Sequence, residues 1–76
     1  MNTKTDMFHK GSKLHNGARV IEWRIHPMDG YVILADTNAV GQPYVTWRCF
    51  YSDGHDTYQG HYFAKLSEAA LDFETR

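Results

Sequence analysis

Four consecutive stretches decide the fold: Tyr44-Val-Thr-Trp-Arg-Cys-Phe-Tyr51, Ser52-Asp-Gly-His-Asp56, Thr57-Tyr-Gln-Gly-His-Tyr-Phe63 and Leu66-Ser-Glu-Ala-Ala-Leu-Asp-Phe-Glu74. They read as strand, turn, strand and short helix. In the first, Val45, Trp47, Cys49 and Tyr51 alternate with Tyr44, Thr46, Arg48 and Phe50, the period that sends successive side chains to opposite faces of a sheet. Ser52-Asp53-Gly54 has the chemistry of a hairpin turn. Thr57 to Phe63 returns as an edge strand, where Gly60 marks either a bulge or close packing under a ring. Leu66, Ala69, Ala70 and Phe73 fall on one helical face, with Ser67 as the expected N-cap and Glu68 in the first turn. A helix of about two turns does not persist alone, so it must dock on the sheet.

Upstream, Ala18 to His26 alternates again. Arg19, Ile21, Trp23 and Ile25 lie on one face and Ala18, Val20, Glu22, Arg24 and His26 on the other, which predicts a strand with its Ile/Trp face inward. Pro27-Met28-Asp29-Gly30 is a turn, and the apolar run Tyr31 to Ala35 suits a central strand, either face of which could meet the helix. Asp36 to Gly41 continues through Gln42-Pro43 as a loop, with Pro43 opening the next strand. Residues 1–16 are polar and aperiodic and read as a flexible N-terminal arm ending in a turn at Asn16-Gly17. The predicted architecture is α+β: residues 17–76 form one domain, a four-stranded antiparallel β-meander with a short C-terminal α-helix on one face. Its expected core is Ile21, Trp23, Ile33, Leu34, Trp47, Leu66, Ala70 and Phe73.

A chain of 76 residues is close to the lower limit for independent folding. The single cysteine, Cys49, excludes an internal disulfide and reads as a small buried hydrophobe. With no signal-peptide-like stretch after Met1, an unpaired thiol points to the cytoplasm. No run approaches the roughly 18 apolar residues of a membrane helix. Stability must come from rings or from a second copy of the chain: of 2 Trp, 5 Tyr and 4 Phe, nine lie between Trp23 and Phe63. The net charge of −1 is uneven, +2 over residues 1–16, zero over 17–48 and −3 over 49–76. The folded part therefore lacks the basic face of a duplex-binding domain.

No catalytic set emerges. Asp29-Gly30 and Asp53-Gly54 are turn signals, and a small one-layer sheet offers little room for the pocket that tunes a general acid or base. Cys49 and His61 could meet across adjacent strands as a thiol and its base, but no orienting residue or oxyanion donors accompany them. His55 and His61 with Asp53 and Asp56 contain suitable Zn²⁺ or Ni²⁺ ligands, yet a hairpin does not by itself bring the two imidazoles together. We therefore expect neither metal nor cofactor, and no enzymatic activity. Trp47, Arg48, Phe50, Tyr44 and Tyr58 mix rings and cation as single-strand nucleic-acid platforms do, which makes such binding the alternative function. A structural homodimer is a further alternative.

The tail Gly60-His-Tyr-Phe63, Lys65-Leu66-Ser67-Glu68-Ala69, Asp72-Phe73 and Arg76 resembles the C-terminal ends of small proteins from phages, plasmids and integrated elements. There a GHYF…LxEAxxDFxxR-like segment follows a tryptophan-bearing strand. The resemblance covers the last third of the chain and carries no functional residue with it. It implies a mobile-element setting, in which proteins of this size commonly bind and block a host protein, as anti-CRISPR and other anti-defence inhibitors do. The expected partner is thus a host or phage protein. Two surfaces are candidates: the acids Asp53, Asp56, Glu68 and Asp72, which could mimic phosphates toward a basic partner, and an open sheet face around Tyr44, Arg48 and Tyr58.

Overall fold

The computed structural model describes residues 11, 13–14, 16–28, 30–49 and 57–76. Strands β1 (Arg19–Ile25), β2 (Tyr31–Asp36), β3 (Tyr44–Cys49) and β4 (Tyr58–Phe63) precede helix α1 (Leu66–Thr75). Each strand pairs antiparallel with the next, giving one sheet in the order β1-β2-β3-β4, and α1 packs across one face of it. This is the expected meander with a C-terminal helix.

The connections follow from turn chemistry. After β1, His26 N–H donates to the Gly30 carbonyl at 2.9 Å, and Gly30 takes φ 72°, a left-handed conformation that glycine adopts without steric cost. After β2, Asp36 Oδ1 accepts from Asn38 N–H at 2.8 Å, while Thr37 donates to the Pro43 carbonyl from both its backbone and its hydroxyl. Part of the segment read as an N-terminal arm lies against the start of β1. Gly11 N–H donates to Val20 O at 2.6 Å, Leu14 N–H to Ala18 O at 2.8 Å, and Leu14 is buried.

Two bulges change which side chains share a face. In the β1–β2 ladder Val20 opposes Ala35 and the next pair is Glu22 with Leu34, so Ile21 is an extra residue. Val20 consequently joins Trp23 on the face away from the helix, while Ile21 and Arg24 turn toward it. This corrects the uniform alternation expected for β1, because one inserted residue reverses the face of everything before it. In the β3–β4 ladder, Gln59 and Gly60 together oppose Trp47, and Gln59 adopts φ 57°. A Cβ on Gly60 would lie 2.7 Å from Trp47 Nε1, so Gly60 serves both as a bulge and as the floor beneath an indole.

The central strands β2 and β3 are buried on both sides of the sheet. Val32, Leu34, Ala69 and Phe73 form the helix-side cluster, with Ile21, Tyr44, Phe63 and Ala70 packed against it. The opposite cluster contains Leu14, Ala18, Val20, Tyr31, Ile33, Ala35, Val45, Trp47 and Cys49, with Trp23 alongside. The helix-facing residues of the central strand are thus Val32 and Leu34. Of the expected core, Leu66 is the exception at 42 % exposure, and Ala69 occupies the helix–sheet contact in its place. The N-cap is Lys65 rather than Ser67. Lys65 is extended, and its carbonyl accepts from Ala69 N–H at 3.2 Å, so the helix begins before Ser67 and receives no side-chain cap. Among the described residues no helix is long and apolar enough to cross a membrane.

Candidate functional site

The last turn of α1 is held to three strands by polar contacts. Thr46, fully buried on β3, donates its hydroxyl to Asp72 Oδ2, and His61 Nδ1 on β4 donates to the same oxygen at 2.9 Å. Arg76 Nη1 reaches past the helix end to the Thr46 carbonyl at 2.9 Å and its hydroxyl at 3.1 Å. From β1, Arg24 Nη2 donates to Phe73 O at 2.9 Å and its guanidinium lies 5.4 Å from the centroid of the Phe73 ring. His26 Nε2 donates to Arg76 O at 3.1 Å while its Nδ1 accepts from Met28 N–H at 3.0 Å, a pairing that requires the neutral Nε2–H tautomer.

The charges reinforce this arrangement. Burial alone would raise the Asp72 pKa. The hydrogen bonds from Thr46 and His61, with the charges of His61 and Arg76, outweigh it and hold the carboxyl below its ordinary value. Burial, aided by the nearby Arg48 charge, lowers Arg76 despite the opposing attraction of Asp72.

Fixing the helix in this rotation leaves a second stripe on its side nearest β4. Glu68, Leu71, Asp72 and Thr75 recur at helical spacing and, with Phe63 of β4, line an open groove of about 470 Å³. Leu71 is 67 % exposed, Glu68 is exposed, and Phe63 forms the apolar floor where it meets the helix-side cluster. The groove is therefore apolar along its length and acidic at its rim.

The residues singled out from the sequence are dispersed by the fold. Tyr44 is half-buried in the helix-side cluster, and Arg48 is half-buried on that same face, opposite Tyr58 in the ladder. The expected open sheet face around Tyr44, Arg48 and Tyr58 therefore does not form: the helix covers this side. Tyr58 is 37 % exposed at the outer strand. Trp47 lies on the other face from Arg48, which divides the ring-and-cation platform, and Phe50 falls outside the described residues. Asp53, Asp56 and His55 also lie outside them, so of the acidic group Glu68 and Asp72 are placed, both on α1.

Cys49 and His61 do not meet. Cys49 is buried in the cluster away from the helix, whereas His61 pairs with Thr46 and turns to Asp72 on the helix side. Among the described residues no group of three or more His, Cys, Asp or Glu could hold a metal ion. The sequence reading missed Leu71, Thr46, Arg24 and His26. Leu71 carried a signal, being a large apolar residue outside the Leu66/Ala69/Ala70/Phe73 stripe. The other three gain their roles from contacts with a helix 26 to 50 positions away in sequence. Comparison with protein-family models, curated proteins and solved structures found no match to this chain.

Proposed function

We propose that this protein is a non-catalytic protein-binding module that acts in the cytoplasm as a mobile-element inhibitor or accessory factor of a host protein complex. The observation that carries this reading is the exposed Leu71, set between Glu68 and Thr75 over Phe63 on a helix whose Ala69 and Phe73 are buried against the sheet. A large apolar side chain held out of the core on a rigid element, with acidic groups around it, is the chemistry of an anchor with a polar rim. The matching partner surface is apolar and basic. Catalysis fits less well: the Thr46 hydroxyl is buried and committed to Asp72, and Cys49 is on the wrong face for His61. The phage- and plasmid-like tail supports the mobile-element setting.

The test is capture from a bacterial lysate on the immobilised chain, compared with Leu71→Asp. The variant should lose at least tenfold of the captured partner while melting within a few degrees of the parent, because Leu71 contributes little to the core. Equal capture by both proteins would remove the groove from the interface. Capture replaced by oligonucleotide binding would favour the single-strand reading, and a concentration-dependent melting temperature without capture would favour the homodimer.

A further inference from the structure

We propose that the groove receives an extended segment of the partner, added as a strand along the His61–Phe63 half of β4. On this assignment the segment's apolar side chain lies over Phe63 and Leu71, and an adjacent lysine or arginine reaches Glu68. The proposal rests on the function just given and names the chemistry of its partner.

The two outer strands of the sheet differ. The outer side of β1 is engaged by the chain itself, through Gly11 N–H to Val20 O and the bridge between Lys13 and Arg19. Among the described residues β4 is the last strand on the other side, and it is exposed along most of its length, with Tyr58 37 % and Tyr62 48 % accessible. An outer strand offers its backbone N–H and C=O groups to a further strand, and such addition is a recurrent mode of peptide recognition. The bulge at Gln59 and Gly60 breaks the regular ladder at the start of β4, which leaves His61–Phe63 as the usable half.

That half ends at Phe63, which lines the groove. His61 and Phe63 point to the helix side, so an added strand places its own helix-side residues in the row that continues toward Leu71 and Glu68. Residues on its other face lie beside Tyr62, whose ring packs edge-on to Trp47 at 6.3 Å between centroids. Asp72 already accepts from Thr46 and His61 through Oδ2 and is the less exposed of the two acids, which makes Glu68 the acid that selects a basic residue. Backbone pairing gives the segment its affinity, and alternation of apolar and basic side chains gives it selectivity.

The probe is a fluorescein-labelled hexapeptide of alternating valine and lysine, titrated into the full chain. Two controls accompany it: the same peptide N-methylated on alternate amides, made in both registers, and a valine–glutamate version. Saturable binding of the parent peptide, weakened at least tenfold by methylation in one register and unaffected in the other, is expected. Leu71→Asp and Glu68→Lys should each weaken it at least tenfold, and the glutamate peptide should not bind. Absence of binding, or equal binding of the parent and both methylated peptides, would overturn strand addition. Self-association of the chain through β4 that excludes the peptide would overturn it too, by making a second copy the occupant. If lysate capture still depends on Leu71 after such a result, the binding function stands and only strand addition falls. If capture is indifferent to Leu71, both fall.

Discussion

On the helix side of the sheet, Val32, Leu34, Ala69 and Phe73 share their interface with Arg24, Thr46, Asp72 and Arg76. On the other side, Val20, Tyr31, Ile33, Val45 and Trp47 form an apolar, ring-bearing cluster. Apolar burial is nondirectional and supplies most of the driving force on both sides. It does not decide how a short helix is rotated about its axis, since small alanines would slide over Val32 and Leu34 with modest loss. The bonds from Thr46, His61, Arg24 and His26 to the helix end, and from Arg76 back to Thr46, are directional and fix that rotation. On this view the polar contacts of the helix side set which residues face outward, and the ring-rich side holds the sheet together.

The comparison is broken most severely by core truncation. Phe73→Ala should cost about 3–5 kcal/mol in denaturant unfolding, and Ile33→Ala on the opposite face about 2–5 kcal/mol. Either is a large share of the stability of a small domain. Equal and small losses would show that neither cluster is the core described here.

Thr46→Val conserves volume but removes a donor to a carboxylate, with an expected loss of about 1.5–3 kcal/mol. A double-mutant cycle with Asp72→Asn should show the two effects to be far from additive. Additive losses would mean that Asp72 is held without Thr46. Gly60→Ala places a methyl group into the Trp47 indole and should cost about 1–3 kcal/mol by overpacking. A neutral result would show that the β4 bulge gives way easily.

The smallest effect is in pH. Because the folded pKa of Asp72 lies below its unfolded value, its contribution is fully present above the unfolded pKa and disappears as pH falls through the folded one. Melting temperatures measured across the acid range should fall less steeply for Asp72→Asn than for the parent. Parallel acid limbs would place the acid sensitivity elsewhere.

Much of this architecture was legible in the chain. The alternation of Tyr44 to Cys49 placed Val45, Trp47 and Cys49 together and Tyr44, Thr46 and Arg48 together, as the fold has them. The side the helix covers was not legible, because β2 is apolar on both faces and β3 has rings on both. The bulge at Ile21 was hidden since Val20, Ile21 and Trp23 are all apolar, so a one-residue slip leaves the composition of each face unchanged in kind. Leu71 could be seen as an apolar residue off the helical stripe. The union of His61 with Asp72 could not, because it depends on how a strand and a helix cross rather than on any local pattern.

The placement of both indoles away from the helix has an optical consequence. Trp23 packs edge-on to Tyr31 and Trp47 edge-on to Tyr62, all in or beside the cluster opposite α1. Intrinsic fluorescence is therefore a one-sided gauge, sensitive to the ring-rich layer and nearly blind to a helix that has let go. A variant such as Phe73→Ala could keep a native emission maximum while its far-ultraviolet dichroism loses the helical contribution, so the two signals, recorded together, would separate release of the helix from collapse of the sheet.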